Sequence, residues 1–303
     1  MSYQAITFKN AVGLAAPHTW AASVFPVLLG SLLSVALAER FDPLVFLPLI
    51  GAAVLLQASV NTLNDYYDFI RGVDLKENSD EPDDAVLLYN DIDPKRVRLL
   101  GACFMGAAVL LGVYPVYRGG LVTLLLGAAG CLTVVAYSAG KHPVSYLPLG
   151  EAVSGGVLGG LLTAASFSAF TGRVDPRVWV LSVPLIVGIG LIMMTNNTCD
   201  IERDRRSGRK TLPALLGRER ARRLYGICVG FWGFSILALT LLFFHRGTLA
   251  SCLGLALSGP ALLRLLRAPL VPALRSACMG AVMRAVLWTS CSYLAGIALD
   301  ILL

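Results

Sequence analysis

Two short acidic segments carry the side chains of this chain that are best suited to chemistry. The first reads Asn-Thr-Leu-Asn-Asp-Tyr-Tyr-Asp over 61–68, and the second reads Asn-Asn-Thr-Cys-Asp-Ile-Glu-Arg-Asp over 196–204. Each segment lies where a long apolar run ends and a basic stretch begins. A carboxylate next to hydrocarbon is costly unless it is paired, hydrated or bound to a metal. The repeated pattern therefore predicts a metal site that both segments share.

The first acidic segment has the spacing of a helical metal-binding face. Asn61 and Asp65, Asn64 and Asp68, and Asp65 and Asp68 are four or three residues apart, so a helix places them on one face. Oxygen ligands suit Mg²⁺, which takes one or two protein carboxylates and completes its shell with water and substrate phosphate. Asp74 offers a further carboxylate from the loop that follows.

The second acidic segment repeats this spacing. Asn196, Asp200 and Asp204 follow one another at intervals of four residues, whereas Glu202 and Arg203 are expected to point elsewhere. We therefore expect two carboxylate faces that oppose each other across a cavity.

Basic residues next to both segments indicate a polyanionic ligand. The stretch Arg-Arg-Ser-Gly-Arg-Lys-Thr over 205–211 includes Arg209 and Lys210, and Arg71 directly follows the first segment. Lys141 is predicted to lie on the same side of the membrane. Lys and Arg bind phosphates through charge-assisted hydrogen bonds. Together with metal ions they are suited to neutralise a departing diphosphate.

The elements that position these segments are predicted to be membrane helices. Of the 303 residues, 56% are hydrophobic and 15% are charged, which is typical of an integral membrane protein. Short connectors indicate one all-α, multi-pass transmembrane bundle over 1–303. Apolar stretches near the roughly 20 residues that a membrane helix needs predict about nine spans, at 12–38, 43–64, 99–117, 119–137, 149–170, 178–199, 222–244, 247–266 and 277–301.

The distribution of basic residues predicts the orientation of the chain. Of the 25 Lys and Arg, 19 fall on one side of the nine spans and 5 on the other. Because basic residues are retained in the cytoplasm, we expect the N-terminus and both acidic segments there, with loops at about 71–98 and 200–221, in a bacterial-type plasma membrane. This asymmetry accounts for the net charge of +6 and does not call for nucleic acid as a partner.

Cysteine, histidine and glycine usage narrows the possible sites further. The seven Cys form no Cys-x-x-Cys pair and the three His are not clustered, so disulfides and a transition-metal site are not predicted. Gly155, Gly156, Gly159 and Gly160 predict close helix packing in the fifth span. His18 is a further candidate for substrate contact.

The two segments also resemble known motifs. NDYYDFIRGVD over 64–74 resembles the first Asp-rich motif of the UbiA superfamily of intramembrane prenyltransferases, in the 1,4-dihydroxy-2-naphthoate branch that serves menaquinone biosynthesis. NNTCDIERDRRSGRKTLPALLG over 196–217 is similar to the second motif of that branch. The resemblance implies a UbiA-type fold and transfer of a prenyl group from a polyprenyl diphosphate to an aromatic acceptor, with Mg²⁺ as the cofactor.

The resemblance also implies residue roles. Metal binding would fall to Asn64, Asp65 and Asp68 for one ion and to Asp200 and Asp204 for the other, and these Asp residues would be catalytic. Support would come from Asn61 and Asn197. The residues expected to contact the diphosphate are Arg71, Lys141, Arg209 and Lys210.

Departures from the branch pattern concern the acceptor. Cys199 and Ala16 stand where the branch usually has arginine, and the stretch 88–94 differs from the usual loop. A naphthoate or a related quinone precursor is the expected acceptor, and 4-hydroxybenzoate or another phenol is the alternative. Two alternatives belong to other classes of protein. A cation-coupled transporter would place its sites near the membrane midplane at broken helices, and a lipid-binding scaffold would need no metal.

Overall fold

The described chain is built of helices. The computed structural model describes residues 3–73 and 86–303, and these ranges contain no β-strand. The helices are α1 Phe8–Ala15, α2 Ala21–Ala38, α3 Pro43–Ile70, α4 Val86–Tyr89, α5 Pro94–Ser138, α6 Gly150–Thr171, α7 Pro176–Leu181, α8 Val183–Cys199, α9 Ile201–Arg206, α10 Leu212–Leu216, α11 Arg218–Phe243, α12 Thr248–Arg267 and α13 Arg275–Leu302.

The predicted membrane bundle is confirmed. Within the described ranges, α2, α3, α5, α6, α11, α12 and α13 are long and apolar enough to cross a membrane, and α8 is a shorter apolar helix. The 45 residues of α5 have a contour length of about 68 Å, enough for two crossings. All nine predicted spans therefore fall on helices, although the chain forms more helices than spans.

The first predicted span is not one continuous helix. The chain breaks after α1, where Ala16 adopts the left-handed conformation with φ 46°. Pro17 then begins a short 3₁₀ turn before α2. The reason is that proline lacks an N–H donor and disfavours the helical conformation of the residue before it.

The third and fourth predicted spans form one helical run that bends in the middle. Gly120 has φ 68° and ψ −155°, a conformation far from helical that glycine adopts with little strain. The connection between these two crossings is therefore a single bent position and not a loop.

Glycines bring α6 and α8 into close contact, as predicted. A side chain at Gly155 or Gly159 would overlap the backbone of Ile186, whereas Gly156 faces open space. The turns around these glycines are π-helical. The main core adjoins this contact and includes the fully buried Phe167 and Trp232.

The ends of α3 and α8 place the two acidic segments. α3 begins at an Asp42 cap and Pro43, and its 28 residues span about 42 Å, more than the roughly 30 Å of bilayer hydrocarbon. Its last turns, which carry 61–68, can therefore extend beyond the apolar layer. α8 ends at Cys199, directly before the first carboxylate of the second segment.

Candidate functional site

Both acidic segments line one cavity. The cavity has a volume of about 660 Å³ and lies between the C-terminal ends of α3 and α8. The prediction that the segments face a common space therefore agrees with the arrangement of the helices. The lining residues from the two segments are Asn61, Asn64, Asp65, Asp68, Asn196, Asn197 and Asp200.

The rest of the cavity wall is largely apolar. α5 and α6 contribute Val134, Val153 and Val157, and Met193 and Met279 come from α8 and α13. A cavity that combines carboxylates and arginines with an apolar wall suits a ligand that has an anionic head and an apolar tail.

The first segment is held in a hydrogen-bonded chain that crosses three elements. The Ser138 hydroxyl at the end of α5 donates to Asn64 Oδ1 over 3.1 Å, and Asn64 Nδ2 donates to Asp68 Oδ2 over 3.1 Å. The other Asp68 oxygen forms an ion pair with Arg209, and both side chains are largely buried. Asn64 is therefore fixed in one orientation, and the Asp68 carboxylate already has a cation beside it.

Asn61 connects the first segment to the turn before α2. Its Nδ2 donates to the carbonyl oxygen of Ala15 over 3.2 Å and to Thr19 Oγ1 over 2.9 Å. The exposed His18 in the same turn lines the cavity. Asn61 is thereby fixed between α3 and the turn before α2.

The second segment departs from the expected face. The helix ends at Cys199, and Asp200 has φ −97° and ψ 15°, so regular helical spacing does not continue to Asp204. Arg203, which we expected to point away, lines the cavity and lies 3.8 Å from Asp200. That expectation about Arg203 is wrong, because the chain turns before α9 begins.

Arg275 at the start of α13 is a site residue that the sequence did not reveal. Its Nε lies 3.2 Å from Asp200 Oδ2 and donates to Asn196 Oδ1 over 3.0 Å, and the residue lines the cavity. The only local signal is an arginine at the start of an apolar span. Each acidic segment therefore contacts an arginine from a distant part of the chain.

Asp204 is buried and does not line the cavity. Its Oδ2 accepts a hydrogen bond from the Thr211 hydroxyl over 2.7 Å, and its carbonyl oxygen accepts from the Arg209 backbone N–H over 2.8 Å. Burial raises the pKa of Asp204 to about 6, and the Thr211 hydrogen bond opposes this rise. The geometry gives Asp204 a clear role in holding the loop that carries Arg209.

Asn197 is held by a buried acid. Its Nδ2 donates to Glu151 Oε1 over 2.9 Å, and both side chains are buried. The Asn197 amide is thereby oriented at the cavity wall.

The predicted diphosphate contacts lie in different positions. Arg209 lines the cavity, whereas Arg71 donates to the Gly140 carbonyl oxygen over 2.8 Å at the end of α3. Lys141 and Lys210 are exposed and do not line the cavity. Asp74 lies outside the described residues.

The side chains present fit Mg²⁺ better than a softer metal. The donors around the cavity are carboxylate and amide oxygens, and guanidinium cations already lie beside Asp68 and Asp200. In the described ranges no three His, Cys, Asp or Glu side chains form a closed ligand set. Mg²⁺ takes oxygen ligands and completes its shell with water and phosphate oxygens.

Three similarities to known proteins accompany this geometry. Residues 23–276 match the family model described as the UbiA prenyltransferase family. The chain is 34% identical over 208 residues to the 1,4-dihydroxy-2-naphthoate octaprenyltransferase of Bacillus subtilis, covering 69% of this chain and 66% of that protein. It is 30% identical over 226 residues to UbiA prenyltransferase domain-containing protein 1 of Danio rerio, covering 73% and 66%. The aligned part is just under two thirds of the length of both relatives.

A solved structure has the same fold. A UbiA homologue from Archaeoglobus fulgidus, bound to DMAPP and Mg²⁺, superposes with a TM-score of 0.64 at 16% identity, covering 95% of this chain and 99% of that one.

Proposed function

The chain belongs to the UbiA prenyltransferase family, and we propose that it transfers a polyprenyl group from a polyprenyl diphosphate to an aromatic acceptor within the membrane. The observation that carries this proposal is one cavity where both acidic segments and three arginines, Arg203, Arg209 and Arg275, meet an apolar wall. The anionic diphosphate fits the polar part, and the prenyl chain fits the apolar part.

The proposal assigns Mg²⁺ to the acidic segments. Asn64, Asp65 and Asp68 would hold one ion and Asp200 would hold the other, while the buried Asp204 holds the loop that carries Arg209. Bound Mg²⁺ would supply positive charge that stabilises the leaving diphosphate. The oxygen-only donor set and the DMAPP and Mg²⁺ bound to the Archaeoglobus fulgidus homologue support this assignment.

The arginines prepare the cavity for an anion. Arg209 and Arg275 neutralise Asp68 and Asp200 in the absence of ligand. When a diphosphate binds, the same guanidinium groups can donate to its oxygens, and their attraction is strong because the site is largely shielded from water. The arginines thus assist as the allylic C–O bond breaks and negative charge develops on the diphosphate.

The apolar wall controls the carbon chemistry. Side chains such as Val157 and Met279 exclude water from the allylic cation, so that the aromatic ring forms the new C–C bond before water can attack. The ring then regains aromaticity by losing a proton or, for a ring carboxylate, carbon dioxide.

A naphthoate or a related quinone precursor is the acceptor that we propose. The Bacillus subtilis relative, named as a dihydroxynaphthoate transferase, supports this choice. Of the two positions that depart from the branch pattern, Ala16 lines the cavity and Cys199 is fully buried. A change of acceptor would therefore act through the wall around Ala16.

Product analysis tests the proposal. Membranes that contain the protein are incubated with geranylgeranyl or a longer diphosphate and a panel of aromatic acids, with Mg²⁺ or with EDTA, and the products are identified by mass. We expect prenylated product only with Mg²⁺, and none from Asp65→Asn or Asp200→Asn. Asp42→Asn at the other end of α3 is the matched control. Turnover retained by both site variants would contradict the proposal.

A further inference from the structure

One tyrosine contacts arginines that belong to both acidic regions. Tyr146 lies in the connector between α5 and α6, and its ring centre is 5.3 Å from the Arg71 guanidinium carbon and 5.0 Å from that of Arg209. Cations at this distance from an aromatic ring are attracted by its quadrupole. The ring therefore holds the C-terminal cap of α3 next to the loop that follows α9.

Backbone hydrogen bonds join the same three parts of the chain. The Lys210 N–H donates to the Tyr146 carbonyl oxygen over 2.9 Å, and Arg71 Nη2 donates to the Gly140 carbonyl oxygen over 2.8 Å. The connector thus contacts both arginine-bearing segments through backbone hydrogen bonds as well as through the ring.

Each of the two arginines has a buried donor that the described residues leave unsatisfied. Arg71 Nη1 and Arg209 Nε have no hydrogen-bond partner there, and neither has the hydroxyl of Ser145, which lines the cavity beside Tyr146. Unsatisfied buried donors are costly. Arg209 and Ser145 both line the cavity, so a guanidinium N–H and a hydroxyl are available there to an oxyanion.

The ring matters most when the cavity is loaded. Without ligand, Arg209 is held by the Asp68 carboxylate as well as by Tyr146. Any cation that binds Asp68 competes with Arg209 for that carboxylate and loosens the ion pair. The aromatic contact does not depend on the Asp68 charge, so it keeps Arg209 in place after the carboxylate has changed partner.

We propose that Tyr146 is a positioning residue that holds Arg209 in place for the diphosphate head of the substrate and ties it to Arg71 at the end of α3. Arg209 lines the cavity, while Tyr146 and Arg71 do not, so the tyrosine acts through the arginines. The identity of this anion rests on the proposed function, whereas the positioning role itself concerns any diphosphate that enters the cavity.

The test compares two substitutions of the ring. Tyr146→Leu removes the quadrupole, and Tyr146→Phe keeps it. Binding of inorganic diphosphate to the purified protein in EDTA is measured by calorimetry, and KM for the prenyl diphosphate and kcat are measured with Mg²⁺. We expect about tenfold weaker binding and an about tenfold higher KM for Tyr146→Leu, with kcat changed less than about threefold. Tyr146→Phe should keep the diphosphate affinity and KM close to those of the wild type.

A matched control lies on the first half of α5, before the bend at Gly120. Tyr114 has the same type of contact with Arg118, at 5.9 Å and far from the cavity, so Tyr114→Leu should change neither diphosphate binding nor KM. Thermal unfolding checks that each variant folds, and Tyr146→Met replaces the leucine variant if that one does not.

Two results would overturn the positioning role. One is unchanged diphosphate binding in Tyr146→Leu, and the other is a loss in Tyr146→Phe as large as in Tyr146→Leu. If the variants bind diphosphate as expected but the wild-type protein forms no prenylated product, only the proposed function is contradicted.

Discussion

The two ends of α3 carry the same type of ion pair in opposite surroundings. Asp42 at the N-terminal end pairs with Arg118, and these side chains are 25% and 46% exposed. Asp68 at the C-terminal end pairs with Arg209, and these side chains are 7% and 13% exposed. The two pairs thus involve the same helix and the same types of side chain, and they differ in how far they are buried.

This difference separates structural charge from functional charge. An exposed pair contributes about 0–1 kcal/mol to stability. A buried pair has to offset the desolvation of both ions, and apolar side chains of similar size often stabilise a fold as well or better. The largely buried pair at the cavity, Asp68 with Arg209, is therefore better explained by ligand binding than by folding, and the partly buried pair of Asp200 with Arg275 adjoins the same cavity.

The largest expected effect is on catalysis. Asp68→Asn should lower prenyl transfer about a thousandfold or more, because it removes a charge that the proposed metal would need and the partner of Arg209. Asp42→Asn, the same change at the other end of α3, should leave the rate within about twofold. Initial rates in membranes decide this, and similar losses in both variants would erase the proposed distinction between the two ends.

A smaller effect is expected on substrate affinity. Arg275→Met should raise KM for the prenyl diphosphate about tenfold or more, because a partly buried guanidinium that lines the cavity next to Asp200 is lost. Arg118→Met removes an arginine from the exposed pair and should leave KM unchanged. An unchanged KM in Arg275→Met would remove Arg275 from the site.

The smallest effect is on stability without ligand. Asp68→Leu alone should cost about 3–5 kcal/mol, since Arg209 is left buried without its ionic partner, and adding Arg209→Met should recover most of that loss. At the exposed pair, Asp42→Ala should cost less than about 1 kcal/mol beyond the loss of the α3 cap, which Asp42→Asn keeps. Unfolding in EDTA compares these variants. If the double variant does not recover stability, the buried pair contributes to folding, and the proposed distinction between the two ends of α3 is contradicted.

The spans and the first acidic face were predictable because their causes are local. Bilayer thickness fixes the length of apolar runs, and Asn64, Asp65 and Asp68 share one uninterrupted helix, so their spacing translates directly into a face. The predicted boundary between the third and fourth spans lies within two residues of the bend at Gly120, but the spacing of apolar residues does not show that the break is a single non-helical position.

The rest of the site depends on contacts between distant parts of the chain. Asn64 is fixed by Ser138, 74 residues away, and Asn196 by Arg275, 79 residues away. The spacing of residues within one helix does not predict such pairs. The second segment was misjudged around Arg203 because the helix ends at Cys199 and the assumed spacing stops there.

The central claim is that both acidic segments serve one diphosphate, and a binding measurement tests it most directly. The affinity of the purified protein for a non-hydrolysable prenyl diphosphate analogue is measured with and without Mg²⁺. We predict that Mg²⁺ tightens binding by about a hundredfold, or about 2.7 kcal/mol, and that Asp65→Asn and Asp200→Asn each abolish this gain. A Mg²⁺ effect that persists in either variant would contradict the claim.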